Sequence, residues 1–446
     1  MKGFFLSVGL FLICISANAQ SAQSKLDELM SAYAKQYKFN GAVLVSKGDQ
    51  ILLNKGYGIQ DAADKINNDS ATVFQLGSIT KQFTAIMILK LQEQKKLNIN
   101  DKLSKYFPSY PKGDSITIKH LLTHTSGIYS YTNDATFMNN EITKPLNRKQ
   151  VMALFENKPL EFSPGTKWEY SNSAYILLGF IIEDVTKMTY YQAARKMIFQ
   201  PLGMTHTGFD FTNLSVREKA VGYMRINEQV QVKAPIVDSS VSFSAGAMYS
   251  TTSDLYKWYL SLKNNKIISA ASKQMASTPV LNKYGFGLGI DSVDGKLRIA
   301  HGGGIHGFTT NISIVQADGI CIVLLNNASN SFLSTITESI YAILYNKPYE
   351  LPKERVAVSL SEDVLKQYEG EYELAPGFKL DIAVKSGKLT VHPTGQQEHE
   401  LFAEKTDFFF LKVVDAQIEF KRNTANVVES LVLVQGGREM PGKKIK

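Results

Sequence analysis

The pattern of hydrophobic residues changes once along this chain of 446 residues, near Pro352. Before that proline, segments with the three-to-four-residue spacing of amphipathic helices are mixed with β-rich runs. Beyond it, short β-rich runs follow one another at nearly regular intervals. Chains of this length commonly form more than one domain. We therefore expect one domain over residues 20–352 and a second, all-β domain over residues 353–446.

The first region combines strands from both of its ends with helices from its middle. The runs GAVLVSKG and ILLNKGYG, joined by a turn at Lys47-Gly48-Asp49, predict a hairpin. Three strand-like runs, RIAHGGGIHGF, TTNISIVQ and ICIVLLNN, follow from Leu297. We expect an α/β (α+β) fold, with an antiparallel sheet sandwiched by helices and an all-helical subdomain. Helical periodicity marks the segments Lys25–Tyr37, Thr80–Lys96, Asn172–Lys187, Tyr190–Ile198 and Phe332–Tyr345.

The second region contains the runs YEGEYELA, FKLDIAVKSGKLTVHP, DFFFLKV, AQIEFKRN and ESLVLVQGG. Short strands at such even spacing predict a small barrel-like or meandering all-β domain. Its aromatic residues Phe408, Phe409, Phe410 and Phe420 are most simply explained as the core of that barrel. The alternative is that this domain binds an apolar ligand.

The first twenty residues, MKGFFLSVGLFLICISANAQ, have the composition of a secretory signal peptide. Lys2 supplies the positive start, Gly3–Ile15 the apolar segment and Ala17-Asn18-Ala19 a cleavage site. The apolar segment is shorter than the ~20 residues that span a bilayer, and no later segment is long and apolar enough. We predict a signal peptide over residues 1–19 and a secreted or periplasmic protein. Lipidation of Cys14 is an alternative, which the bulky residue before it disfavours.

The composition argues against several classes of function. The net charge is +8, but the basic residues are scattered and form no nucleic-acid-binding pattern. The seven histidines are dispersed, and removal of a signal peptide would leave Cys321 as the only cysteine. We therefore predict no metal, no cofactor and no internal disulfide. Cys321 lies in ISIVQADGICIVLLN, an apolar strand pair, where the expected role is that of a small buried side chain.

The stretch FQLGSITKQFTA contains a serine and a lysine three residues apart, Ser78 and Lys81. On a helix such residues share a face, so Lys81 would lie beside the Ser78 hydroxyl and could activate it as a nucleophile. The helix N-terminus would add free N–H groups that stabilise an oxyanion. The alternative is that Ser78 only caps the helix. The same spacing at Ser109 and Lys112 falls in a proline-containing loop, where we expect no chemistry.

A second polar segment, EFSPGTKWEYSNSAYILLG, places Tyr170 and Asn172 in a loop that enters an apolar helix. Alternation along an extended loop points the two side chains the same way. A nearby ammonium could lower the tyrosine pKa from its usual ~10 and make the phenol a base. Asn172 could instead cap the helix. Tyr131-Thr132-Asn133 has the same spacing but no following helix, and it ranks lower.

A third segment, IAHGGGIHGF, ends a strand at His301 and continues with glycines. Glycine lets the backbone approach a ligand closely, so a free N–H group in Gly302–Gly304 could help to form an oxyanion hole. Two segments rival it. His206-Thr207-Gly208 resembles a turn after a helix, and Lys385-Ser386-Gly387 resembles a hairpin turn. His301 could also be an ordinary hydrogen-bonded histidine at a strand end.

Together, Ser78-x-x-Lys81, Tyr170-x-Asn172 and His301-x-Gly303 resemble the three signatures of the serine β-lactamase/penicillin-binding superfamily. The tyrosine and histidine variants are similar to its class C-related branch of D,D-peptidases, D-aminopeptidases and esterases. Connecting phrases such as LLTHTSGI and SAGAMYSTTSDL match as well, and the resemblance covers about residues 25–345. The region after Pro352 resembles, on weaker grounds, the lipocalin-like modules appended to such hydrolases.

This resemblance implies an exported enzyme that forms an acyl-enzyme on Ser78. The substrate would be a small-molecule or peptidoglycan-like compound, namely a D-amino-acid peptide, an ester or a β-lactam. Lys81 and Tyr170 would share the proton relay, with Tyr170 as the base and later the acid. The N–H groups of Ser78 and Gly304, with Gly303 beside them, would form the oxyanion hole.

The resemblance also implies that Asn172 holds the substrate amide and the lysine, and that His301 orients Tyr170 or a substrate carboxylate. The third motif departs from the Lys-Thr-Gly form, because His301 is mostly neutral near pH 7 and Gly302 has no side chain. That departure favours an esterase or a peptidase over an efficient antibiotic hydrolase. The alternative function is a non-catalytic envelope protein that binds muropeptides on the same fold, which the joint presence of Lys81 and Tyr170 disfavours.

Overall fold

The chain divides into two compact units, and each of them contains one large sheet. Among the described residues, the first unit comprises 22–329 together with Ile343–Lys347, and the second comprises Asn330–Ala342 and those from Pro348 onward. The predicted signal peptide, residues 1–19, lies outside the described residues. The structure is a computed structural model that describes residues 22–352, 355–412, 416–435 and 438–446.

The main sheet of the first unit is antiparallel throughout and joins both ends of the unit. Its six strands have the order β2-β1-β12-β11-β10-β9. The N-terminal hairpin β1–β2 is thus paired with the three late strands, and Gly41 of β1 lies opposite Asn326 of β12. The strands of this unit are β1 (Gly41–Lys47), β2 (Gln50–Tyr57), β3 (Ile59–Asp61), β4 (Ile66–Asn67), β5 (Phe74–Gln75), β6 (Tyr223–Ile226), β7 (Gln231–Lys233), β8 (Tyr249–Ser250), β9 (Gly289–Val293), β10 (Lys296–Ile305), β11 (Phe308–Val315) and β12 (Ile320–Asn326).

Two helices form the centre of the first unit and are buried on nearly all sides. In α2, eleven of fourteen residues are buried, and in α6 the run from Ser173 to Ile182 is buried without interruption. A helix with apolar residues around its whole circumference belongs in a protein interior. The helices of the chain are α1 (22–35), α2 (Thr80–Glu93), α3 (Ile118–Leu122), α4 (Ala135–Asn140), α5 (Arg148–Ala153), α6 (Asn172–Thr186), α7 (Tyr190–Ala194), α8 (Gln200–Leu202), α9 (Ser239–Gly246), α10 (Thr252–Lys263), α11 (Ala270–Ala276), α12 (Leu333–Leu344) and α13 (Glu362–Leu365).

The second unit carries a nine-stranded antiparallel sheet that curls into a nearly closed barrel-like domain. Its order is β16-β15-β14-β13-β21-β20-β19-β18-β17. Phe409, Phe410 and Phe420 are buried, as expected of a barrel core. The strands are β13 (Gly370–Ala375), β14 (Phe378–Lys385), β15 (Lys388–Pro393), β16 (His399–Glu400), β17 (Phe402–Lys405), β18 (Phe408–Phe410), β19 (Ala416–Arg422), β20 (Val428–Gln435) and β21 (Arg438–Lys444).

The predicted fold class, an α/β domain with an antiparallel sheet followed by a small all-β barrel-like domain, is confirmed. Cys321 is buried in β12, and burial raises the pKa of its thiol. Within the described part of the chain, no helix combines the length and the apolar character needed to cross a bilayer.

Candidate active site

Ser78 lies at the entrance of α2, held there by strands on either side. The segment before it, β5, pairs with β8, and the next residue, Leu76, donates from its N–H to the carbonyl of Met248 at 2.7 Å. Residues Gly77–Ile79 form a 3₁₀ turn that runs directly into α2. The residue capping α2 is Ile79, so the interpretation of Ser78 as a helix cap is wrong. The Ser78 hydroxyl therefore caps neither the 3₁₀ turn nor α2.

Lys81 projects from the first turn of α2 and makes three hydrogen bonds. Its Nζ lies 3.0 Å from Ser78 Oγ, 2.7 Å from Asn172 Oδ1 and 2.8 Å from the carbonyl oxygen of Ala245. The two carbonyl oxygens can only accept, whereas a hydroxyl can either donate or accept. A neutral Lys81 amine would therefore donate to Asn172 and Ala245 and accept the proton of Ser78.

The electrostatic surroundings of Lys81 favour that neutral form. The side chain is completely buried, and none of its hydrogen-bond partners is a carboxylate. Burial without a counter-ion penalises the ammonium, so the pKa of Lys81 lies well below its ordinary value of 10.5. A buried lysine of this kind is the form of the residue that can accept a proton near neutral pH.

Asn172 is held in place by hydrogen bonds to the loop that precedes α4. Its backbone N–H donates to Ser130 Oγ at 3.0 Å, and its Nδ2 donates to Thr132 Oγ1 at 2.9 Å. The cap of α6 is Ser171, whose side chain accepts from the Ala174 N–H, so Asn172 is not the helix cap. The segment Tyr131–Asn133, ranked lower from the sequence, therefore lies in the site as a support for Asn172.

Tyr170 lies beside Lys81, which is 4.8 Å from the centroid of its ring. The hydroxyl is buried and has no hydrogen bond of good geometry, although the neighbouring Ser78 hydroxyl is close enough to lower its pKa in part. Burial is the larger effect, and it raises the pKa of Tyr170 above its usual value of 10.0. The expectation that the nearby lysine would lower this pKa is wrong, because burial also disfavours the charge of Lys81.

His301 is buried in β10, and both of its ring nitrogens have partners. Nδ1 lies 2.7 Å from the carbonyl oxygen of Gly302, and Nε2 lies 2.8 Å from the hydroxyl of Tyr284. A carbonyl can only accept, so the proton belongs on Nδ1 and Nε2 accepts from Tyr284. Burial, followed by the charge of Lys81, lowers the pKa of His301 to about 4. His301 is therefore neutral in most conditions, and its ring nitrogens are occupied by protein groups.

The glycines after His301 bring β10 against the turn that carries Ser78. A Cβ atom on Gly303 would lie 1.9 Å from the carbonyl oxygen of Leu76, so no side chain fits there. A Cβ atom on Gly77, whose φ is +55°, would lie 2.8 Å from the backbone N of Gly304. Gly304 itself faces open space. These close approaches place the Gly304 backbone beside the turn that presents Ser78.

His124, which sequence analysis did not select, packs directly on Tyr170. The two ring centroids are 4.2 Å apart, and the His124 Nδ1 accepts from the N–H of Ser171 at 3.1 Å. Tyr284, also not selected, closes the cluster with its ring 4.9 Å from His124. Only the phrase LLTHTSGI pointed toward His124, and no local pattern marks Tyr284.

The other segments that the sequence offered as alternatives to the three motifs do not contribute to this cluster. Ser109 and Lys112 are both exposed, and His206 is exposed as well. Lys385-Ser386-Gly387 is the turn between β14 and β15, with positive φ at Ser386 and Gly387, as predicted. Within the described ranges, no group of three or more His, Cys, Asp or Glu side chains is placed to hold a metal ion.

A cleft with a volume of about 370 Å³ opens onto Ser78 and Asn172. Gly304 lines it as well, so the candidate nucleophile and the candidate oxyanion donor face the same space. Most of the other lining side chains are apolar. A pocket of this size and character suits a small organic substrate.

Comparison with known proteins identifies the family of this chain. The family model described as "Beta-lactamase" matches residues 26–344, and the model "Domain of unknown function (DUF3471)" matches residues 354–444. Penicillin-binding protein 4* of Bacillus subtilis (strain 168) is 28% identical, over 96% of this chain and 100% of its own. The octameric penicillin-binding protein homologue from Pyrococcus abyssi has a TM-score of 0.66 at 24% identity, over 94% of this chain and 99% of its own.

A D-stereospecific amidohydrolase from Streptomyces sp. has a TM-score of 0.63 at 26% identity, over 74% of this chain and 99% of its own. Its alignment covers most of this chain, and the Beta-lactamase model alone covers more than half. The resemblance seen in the three motifs is confirmed. This chain belongs to the Beta-lactamase family, within the serine β-lactamase/penicillin-binding superfamily, and has the fold of a serine hydrolase.

Proposed function

We propose that this protein is an exported serine hydrolase that forms a covalent acyl-enzyme on Ser78 and acts on a D-amino-acid peptide, an ester or a β-lactam. The observation that carries the proposal is the environment of Lys81. A lysine that is fully buried, lacks a carboxylate partner and touches the hydroxyl of Ser78 has the properties of a general base. A structural lysine would gain nothing from such a costly position.

In the acylation step, Ser78 Oγ bonds to the substrate carbonyl carbon while its proton passes to the Lys81 amine. The oxyanion is stabilised by the N–H groups of Ser78 and Gly304, an interaction typically worth about 3 kcal/mol per donor. When the intermediate collapses, the bond to the leaving group breaks and that group takes a proton. Water then attacks the Ser78 ester, which releases the acid and restores the serine hydroxyl.

The pKa shifts of Lys81 and Tyr170 favour roles other than those that the resemblance implies, in which Tyr170 is the base. Burial favours an uncharged Lys81 and disfavours the phenolate of Tyr170. We therefore assign the base to Lys81. Tyr170, which keeps its proton, hands it to the leaving group and recovers one from Lys81. Asn172 positions the Lys81 amine and presents its amide to the substrate.

The amidohydrolase relative is named as D-stereospecific, which supports a substrate with a D-amino-acid unit. Cleavage of the last residue of such a peptide, a carboxypeptidase activity, is one form of the proposed hydrolysis.

The proposal that the protein is exported is based on residues 1–19, whose charge, apolar segment and small residues match a secretory signal. N-terminal sequencing of the protein from the native host tests it, with a mature terminus near Gln20 expected and an intact Met1 as the contrary result.

Intact-mass measurement tests the hydrolase itself. The full chain is incubated with a panel of D-Ala-D-Ala peptides, short esters and cephalosporins and quenched at intervals. A transient mass increase equal to the acyl group, mapped to the peptide that contains Ser78, is expected for at least one class. Binding of muropeptides without any adduct or turnover would instead favour the non-catalytic envelope protein.

A further inference from the structure

Most of the surface that lines the cleft beside Ser78 is apolar. Among its lining residues are Met138, Met224, Val237, Val241, Ile305 and Phe308. Apolar surface of this kind binds apolar groups by removing both surfaces from water. It offers no compensation to a charged group that loses its hydration on entering.

No cation in the described part of the chain faces this cleft. No lysine or arginine lines it, and its ionisable residues are His306 and Tyr131. Burial lowers the pKa of His306 and raises that of Tyr131, so both are neutral near pH 7. Lys81 is fully buried with its hydrogen bonds taken, and both ring nitrogens of His301 are occupied. A substrate carboxylate would therefore meet no positive partner.

The hydroxyl of Ser242 is a polar group of the cleft wall that has no partner in the protein. Ser242 lines the cleft and is 9% exposed, and its hydroxyl has no hydrogen-bond partner. A buried hydroxyl without a partner is costly, so a turn of this side chain toward a ligand group that accepts a hydrogen bond without carrying charge would be favourable. An amide or ester carbonyl of the substrate has that property.

From this lining we propose that the enzyme selects uncharged acyl compounds, namely esters and amides with an apolar acyl group and no free carboxylate beside the scissile bond. The inference rests on the proposed hydrolase function and narrows its substrate class. D-amino-acid amides and esters fit the cleft. Peptides that end in free D-alanine and β-lactams that carry a carboxylate fit it poorly, because the carboxylate loses water without gaining a cation.

The decisive comparison uses two substrates that differ only in charge. N-acetyl-D-Phe-D-Ala and its C-terminal amide share the bond between D-Phe and D-Ala, and release of N-acetyl-D-Phe measures cleavage of that bond in both compounds. We expect kcat/KM for the amide to exceed that for the free acid by about tenfold or more. Across p-nitrophenyl acetate, butyrate and hexanoate, kcat/KM should rise about two- to fourfold per CH₂ until the cleft is filled.

A cation placed in the cleft should reverse the preference. His306→Arg introduces a permanent guanidinium, and it should raise the relative kcat/KM for the free acid. His206→Arg is the matched control, since His206 is an exposed histidine outside the cleft, and it should leave the ratio unchanged. Ser242→Ala should lower kcat/KM for the dipeptide amide more than for p-nitrophenyl butyrate.

A neutral fluorophosphonate separates failure of this inference from failure of the proposed function. Labelling of Ser78 together with equal or better turnover of the free acid would overturn the substrate class alone. Absence of both labelling and turnover would overturn the hydrolase function and this inference with it.

A second inference concerns His124, and it has an independent basis. His124 contacts the segment that carries Tyr170 in three ways. Its backbone carbonyl accepts from the N–H of Glu169 at 3.0 Å, its Nδ1 accepts from the N–H of Ser171 at 3.1 Å, and its ring packs on that of Tyr170. One residue thus holds the residues on both sides of Tyr170 as well as the tyrosine itself.

The backbone of His124 is adapted to this position. Its φ is +54°, a left-handed conformation that is uncommon for residues other than glycine. Such strain persists where the surrounding structure requires it, often near functional groups. We infer that His124 is a positioning residue that fixes the hydroxyl of Tyr170 over Ser78.

Two substitutions separate the contributions of His124. His124→Asn keeps a side-chain acceptor and tolerates the left-handed backbone, whereas His124→Phe keeps a ring and loses the acceptor. We expect His124→Phe to lower kcat about tenfold or more with little change in KM, and His124→Asn to recover most of the loss. Thermal unfolding of both variants checks that they are folded.

A double-mutant cycle with Tyr170→Phe distinguishes positioning from a general structural effect. If His124 acts through the Tyr170 hydroxyl, His124→Phe should have almost no further effect on kcat once that hydroxyl is absent. Additive losses of kcat in the double variant would overturn the inference.

Discussion

Two serine–lysine pairs with the same spacing occur in this chain, and the structure surrounds them very differently. Lys81 is completely buried and touches Ser78, Asn172 and a backbone carbonyl. Ser109 and Lys112 are exposed in a turn, and Lys112 has a left-handed backbone. The comparison shows that the spacing contributes little by itself. Burial of the amine without a counter-ion is what lowers the pKa of Lys81 and makes it a candidate base.

The largest expected contrast is between the two serines. Ser78→Ala removes the nucleophile and should lower kcat/KM at least about 10⁴-fold, whereas Ser109→Ala should leave it within a factor of two. Steady-state hydrolysis of p-nitrophenyl butyrate measures both. Equal activity of the two variants would show that Ser78 is not the nucleophile.

The next largest contrast in activity should be between substitutions of Lys81 and Lys112. Lys81→Met keeps the length of the side chain and removes the amine, and we expect kcat to fall about 10³-fold, the range of a lost general base. Lys112→Met is the matched control and should retain wild-type turnover, because its side chain is exposed and lies outside the cleft. A fully active Lys81→Met variant would assign the base to another group.

The activity should depend on pH through Lys81. Only the neutral amine accepts a proton, so kcat/KM should rise about tenfold per pH unit below the pKa of Lys81 and level off above it, with a midpoint well below 10.5. The pKa of His301 is about 4, so His301→Gln should not move that midpoint. Loss of the pH dependence in His301→Gln would identify the histidine as the titrating group.

The free energy of unfolding should also depend on pH through the protonation of Lys81. Between the lowered pKa of Lys81 and 10.5, the unfolded chain binds a proton that the folded chain does not. The free energy of unfolding should therefore rise with pH in that window, by at most about 1.4 kcal/mol per pH unit. Urea unfolding from pH 7 to 10 should show this slope in wild type and in Lys112→Met. Lys81→Met should lose it, and an unchanged slope in that variant would contradict the assignment.

The smallest contrast is between neighbouring glycines of identical chemistry. Gly303→Ala forces a Cβ against the Leu76 carbonyl and should cost about 1–3 kcal/mol of stability. A Cβ on Gly304 meets open space, so Gly304→Ala should unfold at the wild-type temperature. Calorimetry of the two variants gives the comparison, and equal unfolding temperatures would disprove the close approach.

Much of the fold could be predicted because its signals are local. The hairpin at Lys47–Asp49 and the helix that starts after Ser78 follow from periodicity and turn residues. The predicted end of that helix at Lys96 is three residues late, since α2 ends at Glu93 and Lys95 adopts a positive φ. Helix ends depend on single-residue backbone conformations, which periodicity does not report.

The candidate site was predictable only where a local motif marks the residue. Tyr284 and His124 are distant in sequence from Ser78, and their contacts arise from tertiary packing. The pKa of Tyr170 was expected to fall and instead rises, because the extent of burial cannot be judged from neighbours in sequence.

The carbonyl oxygen of Ala245 has a consequence for the interpretation of natural and engineered variants. It comes from the end of α9, two residues after Phe243, where a φ of +33° interrupts the helix. Because the contribution is made by the main chain, a small replacement such as Ala245→Gly would keep the acceptor in place, and its near-normal activity would give no sign of the role of this residue. An insertion or deletion of one residue within Ser239–Gly246 would instead displace the acceptor and release Lys81. Length changes in α9 are therefore expected to harm activity far more than the replacement of Ala245 by glycine.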